Sequence, residues 1–354
     1  MTNVISLSVP HRRQSFGERA GPMSAIFAQK RRMSEDVFWL KENAEFLNIV
    51  ECTGTGIPAD ALENWSPFYE ELSRRLSFFP QYYRFLLSIA LDLEDLGMAG
   101  NAAETACRWA ERKGLAEAEL SDLQRGEARR LLARRGANTR AADSGLDDRL
   151  RAFVSRAGTF SLPNKKAAYE LTHIVFYLSE YGRRDPQLPE EAMISLEYAG
   201  VLAMLEQNMD LLAEVCIALR YAGKTPSLTW ESRVIRGLRY FDVDSDETGS
   251  VADDYHEYLV SSWSASVSGD RGMSSGLVGE RTTFRRSQAF LAAPLRNLSS
   301  ALYDLDQARS GDWNCMRPWV FDLMDDEQQA VLAEAESSSP HFESFFEGFA
   351  RAHA

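Results

Sequence analysis

Residues 189–223 read PEEAMISLEYAGVLAMLEQNMDLLAEVCIALRYAG, and they show the helical pattern of this sequence most clearly. Apolar residues recur along it at helical spacing, and Pro189 stands where the first turn of a helix tolerates proline. Gly223 follows the second apolar run, and glycine is preferred just beyond a helix end because it takes the left-handed conformation cheaply. The stretch therefore predicts helices over 189–208 and 209–221, and their short connection predicts an antiparallel pair.

Similar helix-terminating glycines occur on both sides of this segment along the chain. Glycine follows further apolar runs at Gly97, Gly114, Gly136 and Gly182, whereas the alternating segments typical of strands are nearly absent. Further helices are predicted over residues 34–51, 66–78, 81–96, 101–113, 121–135, 147–156, 164–181, 229–241, 251–266, 284–307, 325–336 and 342–354. The sequence thus predicts an all-α fold, a multi-helix array of antiparallel helix pairs.

Two segments of small and polar residues divide the predicted helices. Residues 137–145 read ANTRAADSG, and residues 269–280 are rich in glycine and serine, a composition that marks boundaries. We therefore expect a flexible N-terminal tail (1–22), an N-terminal helical domain (23–136), a linker (137–145), a central helical domain (146–268), a Gly/Ser-rich loop (269–280) and a C-terminal helical segment that packs on the rest (281–354).

Composition and charge narrow the class of protein. Of the 354 residues, 45% are hydrophobic and 26% are charged, and the net charge of −13 disfavours binding to nucleic acid or to an anionic membrane. The four cysteines are far apart, which disfavours a zinc ribbon and a secreted disulfide framework. No window approaches the roughly 18 apolar residues that a membrane span needs. The sequence therefore predicts a soluble, cytoplasmic protein.

Three segments resemble a pattern in uncharacterised helical proteins of alphaproteobacteria. They read DVFWLKENAEFLNIVECTG at 36–54, YELTHIVFYLSEYG at 169–182, taken together with the later YHEYLV at 255–260, and DWNCMRPWVFDLM at 312–324. The family that they resemble is a domain of unknown function, so the resemblance implies no activity. The helix pairs of the central domain also resemble the α/α-toroid of terpene cyclases. The acidic DxDD-type motif of those enzymes is not clearly present, so no terpenoid chemistry is implied.

The residues best suited to chemistry are two histidines with acidic neighbours. Each histidine follows an acidic residue by three positions, and between them two carboxylates lie four apart on another predicted helix. Helical bundles hold metal ions with such side chains, and imidazole with carboxylate suits iron, zinc or manganese. The candidate metal ligands are His173, His256, Glu170, Asp210, Glu214 and Asp253. The alternative is that His173 is a packed core histidine and that the acids are ordinary surface or helix-start charges.

Three other patterns carry weaker predictions. Residues 242–246 begin like a calcium loop, but Glu247 stands where that loop needs glycine, which favours an acidic connection between helices. Residues 272–276 match G-x-S-x-G but lie in the Gly/Ser-rich loop, without the preceding strand that a nucleophile elbow needs. The arginine-rich run 125–140 could bind an acidic partner. The alternative is a solvated helix, because acidic residues at helical spacing can pair with these arginines.

Three functions remain open from the sequence. The first is a binding or scaffold protein that presents a concave surface or the arginine-rich run to a protein partner, since no specific catalytic motif is present. The second is a metal-dependent enzyme that uses the histidine and carboxylate set on a small molecule. The third is a metal-free helical pocket that binds an apolar small molecule among Phe176, Tyr177, Trp230 and Tyr255. Neither a membrane nor a nucleic acid is expected as a partner.

Overall fold

The structure is a computed structural model that describes residues 16–54, 56–137, 143–245, 250–270, 281–287 and 293–352. Several predictions fall wholly or partly on the other positions. The G-x-S-x-G motif, residues 1–15 of the tail, 138–142 of the linker, 246–249 of the acidic segment and 271–280 of the Gly/Ser-rich loop lie outside the described residues.

Helices make up most of the described chain, which confirms the predicted all-α class. The helices of the first half are α1 (Phe16–Ala25), α2 (Val37–Cys52), α3 (Ala59–Leu62), α4 (Ser66–Glu70), α5 (Leu72–Phe78), α6 (Tyr83–Asp95), α7 (Ala102–Arg112), α8 (Asp122–Ala133), α9 (Leu146–Val154) and α10 (Ala157–Phe160). A π-helical turn, Ile26–Lys30, follows α1 directly, and short 3₁₀ turns occur at Glu63–Trp65 and Pro80–Tyr82.

The second half continues with longer helices around the centre of the molecule. They are α11 (Lys165–Leu178), α12 (Glu190–Glu206), α13 (Met209–Tyr221), α14 (Leu228–Leu238), α15 (Tyr255–Val267), α16 (Leu295–Leu305), α17 (Trp313–Asp322), α18 (Asp326–Ser338) and α19 (Phe342–Ala350), with a 3₁₀ turn at Asp306–Ala308. None of the helices in the described ranges is both long enough and apolar enough to cross a membrane. As predicted, Gly223 lies just beyond a helix end, with φ of 77°, whereas α11 ends earlier than predicted and Gly182, with φ of 83°, follows it by four residues.

Two short strands are the main departure from the predicted elements. Strand β1 (Phe241–Ser245) pairs antiparallel with strand β2 (Thr282–Arg286), and Phe284 is fully buried beneath this pair. The helix predicted over 284–307 is therefore wrong in its first part, and α16 begins only at Leu295. Strand β1 likewise occupies residues at which the sequence predicted an acidic connection between two helices, beginning at residue 242. The two strands are far apart in sequence, and strand preference depends on tertiary context that a local pattern does not contain.

The N-terminal prediction also needs correction where the structure describes it. Residues 16–22, which were predicted as part of a flexible tail, belong to α1. Ala20 and Met23 are fully buried because α1 packs against α3. This contact with the core explains why the segment is ordered as a helix despite Pro22.

Helix α13 occupies the centre of the molecule. It packs against α11, α12, α14 and α15, and every residue from 211 to 219 is buried. A helix that is apolar all round is expected to be buried all round. Glu214 breaks this apolar run and is only 2% exposed. Since a buried charge needs compensation, the side chains around Glu214 must include partners for its carboxylate.

Buried apolar side chains from Ala20 to Ala350 form one contiguous cluster. Helix α2 from the N-terminal half packs against both α6 and α15, so the first and second halves of the chain share this core. The division into helical domains stays a prediction, as does a toroid-like closure of the helix pairs. For the candidate site, the important consequence is that α2, α11, α13 and α15 meet around Glu214.

Candidate metal centre

Asp210 and Glu214 lie one turn apart on α13, which places their side chains on the same side of the helix. The hydroxyl of Thr172 on α11 donates a hydrogen bond to Oε2 of Glu214 at 2.5 Å. Burial, reinforced by the neighbouring carboxylate of Asp210, raises the pKa of Glu214 above its ordinary value. The pair therefore concentrates negative charge in an interior position.

Asp210 is held in place by a hydrogen-bond relay. The hydroxyl of Tyr169 donates to Oδ2 of Asp210 at 2.8 Å, and Nδ2 of Asn208 lies 3.4 Å from that hydroxyl as a donor to it. Asn208 also caps α13, because its side chain accepts a hydrogen bond from the backbone N–H of Leu211. The relay orients the carboxylate so that Oδ1 faces Nε2 of His256 at 3.4 Å.

His256, on α15, lies between carboxylates from two other helices. Its Nδ1 is 3.2 Å from Oε2 of Glu45 on α2. Burial alone would lower the pKa of His256, but the carboxylates of Glu45, Asp210 and Glu214 outweigh burial and raise it to about 9. One potential ligand atom from each of Asp210, Glu214 and His256 lies within 4.8 Å of the other two, a spacing that suits a shared metal ion.

Several of these atoms approach one another without hydrogen bonding. Within the described part of the chain, Oε2 of Glu45, Oδ1 of Asp210 and Nδ1 of His256 are buried but form no hydrogen bond of acceptable geometry. Buried polar atoms normally have a partner, so each such group needs an explanation. These atoms lie within ion-pair distance of one another, and a bound metal ion would compensate the same carboxylates once His256 has released its proton.

His173, on α11, is positioned by its own backbone. Its Nδ1 lies 2.7 Å from the carbonyl oxygen of Tyr169, and since a carbonyl can only accept, Nδ1 carries the proton. The same nitrogen is 3.7 Å from Oε2 of Glu214. In the neutral imidazole, Nε2 is then the nitrogen with a free lone pair. Metal-binding and proton-transferring histidines are commonly oriented by such a bond on the other ring nitrogen.

Glu45 belongs to the cluster although the sequence did not suggest it. Burial would raise its pKa, but the opposing charge of His256 lowers it below its ordinary value. No local spacing links Glu45 to His256, because the contact depends on α2 packing against α15. The available signal was weaker: polar residues such as Glu42, Asn43 and Asn48 interrupt a helix whose other buried positions are mostly apolar.

A cavity of about 280 Å³ adjoins the cluster, and Glu45, His173, Glu214 and His256 line it. An aromatic wall faces the same cavity and consists of Phe85, Phe176, Tyr177, Tyr181 and Trp263. The ring of Trp263 lies 5.0 Å from that of Phe176 and 5.8 Å from that of Tyr181. The candidate ligands therefore border a space that a small molecule can occupy, rather than a solid core.

Two of the six predicted ligands lie elsewhere. Glu170 faces Lys166, 4.0 Å away on the same helix, and is not part of the cluster. Asp253 forms a two-pronged ion pair with Arg31 in a separate buried site. The structure thus brings together Asp210, Glu214 and His256, with His173 beside Glu214, and separates Glu170 and Asp253 from them.

The residues named for the apolar-pocket and protein-partner hypotheses are also found in different surroundings. Phe176 and Tyr177 line the cavity, whereas Trp230 donates a hydrogen bond to Ser338 and Tyr255 packs under the guanidinium of Arg31. Described arginines of the 125–140 run are engaged with acids of neighbouring helices. The pairs are Arg129–Asp147, Arg134–Asp92, Arg134–Asp95, Arg135–Glu94 and Arg135–Asp95. This pairing favours the interpretation of the run as a helix that bridges its neighbours.

Comparison with known proteins supplies a family but no activity. No curated protein and no solved structure matches the chain. A family match extends over residues 1–352, nearly the full length, which agrees with the resemblance of the three segments to uncharacterised proteins. The chain belongs to the family described as Domain of unknown function (DUF6902).

Proposed function

We propose that this protein binds a divalent transition-metal ion through Asp210, Glu214 and His256 and uses it as an enzyme on a small molecule in the adjoining cavity. The observation that carries the proposal is the convergence of three potential ligand atoms within 4.8 Å at the cavity border. Oxygen and imidazole ligands of this kind suit zinc, manganese or iron. Three protein ligands leave coordination positions for water or a substrate.

The surrounding residues support a catalytic rather than a structural ion. Structural zinc sites are closed by four protein ligands and are commonly rich in cysteine, whereas this cluster opens on a cavity. A bound ion of this type supplies Lewis acidity or an activated water. His173 lines the same cavity with Nδ1 hydrogen-bonded, so its Nε2 is suited to exchange a proton with a bound molecule.

A protein-binding role is a second candidate, and one surface feature favours it. Phe78 and Phe79 are 77% and 44% exposed beside a groove of about 590 Å³, to which Val37 and Leu40 also contribute. Large exposed apolar groups in a groove are typical of interaction surfaces. This surface is separate from the cavity, so the two functions do not compete for the same residues.

Metal binding is tested by elemental analysis of the purified protein and by titration of the chelator-treated protein with zinc, manganese and ferrous ions. We expect one ion per chain. Asp210→Asn and His256→Gln should each weaken binding about a hundredfold, because each removes one of three ligands.

Glu170→Gln is the matched control. Like Asp210→Asn, it replaces a carboxylate by an amide, but this carboxylate lies on α11 and faces Lys166 outside the cluster. It should bind metal like the wild type. Failure of the reconstituted protein to retain any of the three ions, or equal retention by the ligand variants and the control, would contradict the proposal.

A further inference from the structure

The amide of Asn48 is a second feature built into the cavity. Asn48 lies one turn beyond Glu45 on α2, is 8% exposed and lines the cavity. Its side chain forms no hydrogen bond with any residue in the described ranges. The amide atoms are not fully enclosed by the protein and reach the cavity, where a bound molecule can hydrogen-bond to them.

The aromatic wall of the cavity offers flat surfaces rather than further hydrogen-bond donors. Phe176 and Trp263 are nearly fully buried and hold each other in place by ring contacts. The indole N–H of Trp263 is already used, because it donates to the hydroxyl of Tyr221 at 3.0 Å. What the wall presents to the cavity is therefore apolar ring surface, chiefly from Phe85 and Tyr181, which are only partly buried, and such surface pairs best with another ring.

The charges of the cavity limit the charge of its occupant. Lys41 and Arg84 line the cavity, but they already pair with Glu45 and with Glu119 and Glu127, respectively. Together with a divalent ion, these two cations would be balanced by the carboxylates of Glu45, Glu127, Asp210 and Glu214. The metal-loaded cavity has no excess positive charge with which to hold a polyanion such as a phosphorylated metabolite.

We infer that the cavity binds a small, flat aromatic molecule with at most one negative charge, which uses polar groups to bind the metal ion and to hydrogen-bond with Asn48. This inference rests on the proposed function, since it assigns a substrate class to the same site. The volume of about 280 Å³ lies just below the usual range of ligand pockets and suits a molecule with a single ring.

Two hydroxamates provide a matched pair of probes. Benzohydroxamate and acetohydroxamate share the same metal-binding group, and only the first has a ring. We expect the metal-loaded protein to bind benzohydroxamate at least about tenfold more tightly by calorimetry, because its ring is buried against the aromatic wall. Inorganic phosphate should compete poorly with benzohydroxamate.

Two variants separate the contributions of the amide and the wall. Asn48→Leu keeps the shape of the side chain and should weaken both hydroxamates by about fivefold, because it removes one hydrogen bond. Trp263→Leu should reduce the preference for the ring. Phe38→Leu, at an exposed aromatic position outside the cavity lining, is the control and should change neither. If Trp263→Leu does not fold, Asn48→Leu still tests the inference.

The possible failures are distinguishable. Equal affinity of the loaded protein for the two hydroxamates, strong competition by phosphate, or no effect of Asn48→Leu would overturn the inference and leave the metal site in place. A protein that retains no metal would overturn the proposed function, and the inference would fail with it.

Discussion

Two buried charged clusters lie close together in this molecule, and they differ in how completely their atoms are paired. In the first, all five N–H groups of Arg31 donate hydrogen bonds, to Glu42, to Asp253 and to the carbonyl oxygen of Thr282. In the second, around His256, Oδ1 of Asp210 and Oε2 of Glu45 are buried but are not hydrogen-bonded within the described residues.

The difference separates a structural cluster from a functional one. The guanidinium of Arg31 also lies over the rings of Phe27, Tyr255 and Phe284, so its faces are covered by side chains of the protein itself. The His256 cluster borders a cavity, and its ion pairs at 3.2 and 3.4 Å lack hydrogen bonds of full geometry. A buried ion pair with full hydrogen bonding joins elements of the fold, whereas incomplete pairing beside a cavity indicates a site for something else.

The largest expected effect is a loss of stability when a charge is removed from the Arg31 cluster. Asp253→Asn should lower the free energy of unfolding by about 3 kcal/mol, because it removes one charge of a buried pair and leaves Arg31 partly uncompensated. Urea denaturation in the presence of a chelator measures this change. The folded fraction of the variant should bind metal with the affinity of the wild type, because Asp253 is not part of the ligand cluster.

Asp210→Asn is the matched variant in the other cluster. It makes the same chemical change, yet the chelated protein should lose less than about 1 kcal/mol, since the loss of attraction to His256 is offset by relief of the repulsion between Asp210 and Glu214. If instead Asp253→Asn lost its metal while remaining stable, the division between the two clusters would be wrong.

The position of each residue relative to its helix explains why one predicted ligand pair failed and another succeeded. The spacing Asp253-x-x-His256 places both side chains on one helix face only if both lie within the helix, but α15 begins at Tyr255. Asp253 therefore precedes the helix and is free to bind Arg31 instead. Asp210 and Glu214 were predicted correctly to share a face because both lie inside α13.

Long-range contacts explain what the sequence could not show. Periodicity is a local property, and it placed α13 at Met209–Tyr221 without error but missed α17 at Trp313–Asp322. Glu45 enters the cluster only through the packing of α2 on α15, and β1 forms only because β2 pairs with it. No spacing along the chain encodes either contact.

The next effect concerns the pH dependence of the His256 cluster. The pKa of His256 is about 9 in the folded, metal-free protein, compared with an ordinary value near 6.5. A raised pKa means that the imidazolium contributes its full stability below about pH 6.5 and loses it as the pH rises through 9. Allowing for partial exposure of the ring, we expect this loss to be on the order of 2 kcal/mol.

The measurement compares the unfolding free energies of the wild type and His256→Gln from pH 6 to 9, both with chelator. Their difference should shrink steadily as the pH rises, because glutamine cannot carry the proton. Using the difference removes the contribution of other groups that titrate in this range. A difference that is constant with pH would mean that the three carboxylates do not raise the pKa of His256.

The smallest effect tests whether the relay through Tyr169 serves the metal site or only the fold. Tyr169→Phe removes the hydroxyl that donates to Oδ2 of Asp210. We expect metal affinity to fall about tenfold, because residues that orient a ligand contribute to binding without touching the ion. Tyr303→Phe removes a hydroxyl from a side chain that is 83% exposed and should have no effect. If Tyr169→Phe lowered stability but left metal affinity unchanged, the relay would belong with Arg31 among the structural contacts. A loss of affinity at nearly constant stability would instead show that the orientation of Asp210 matters for the ion.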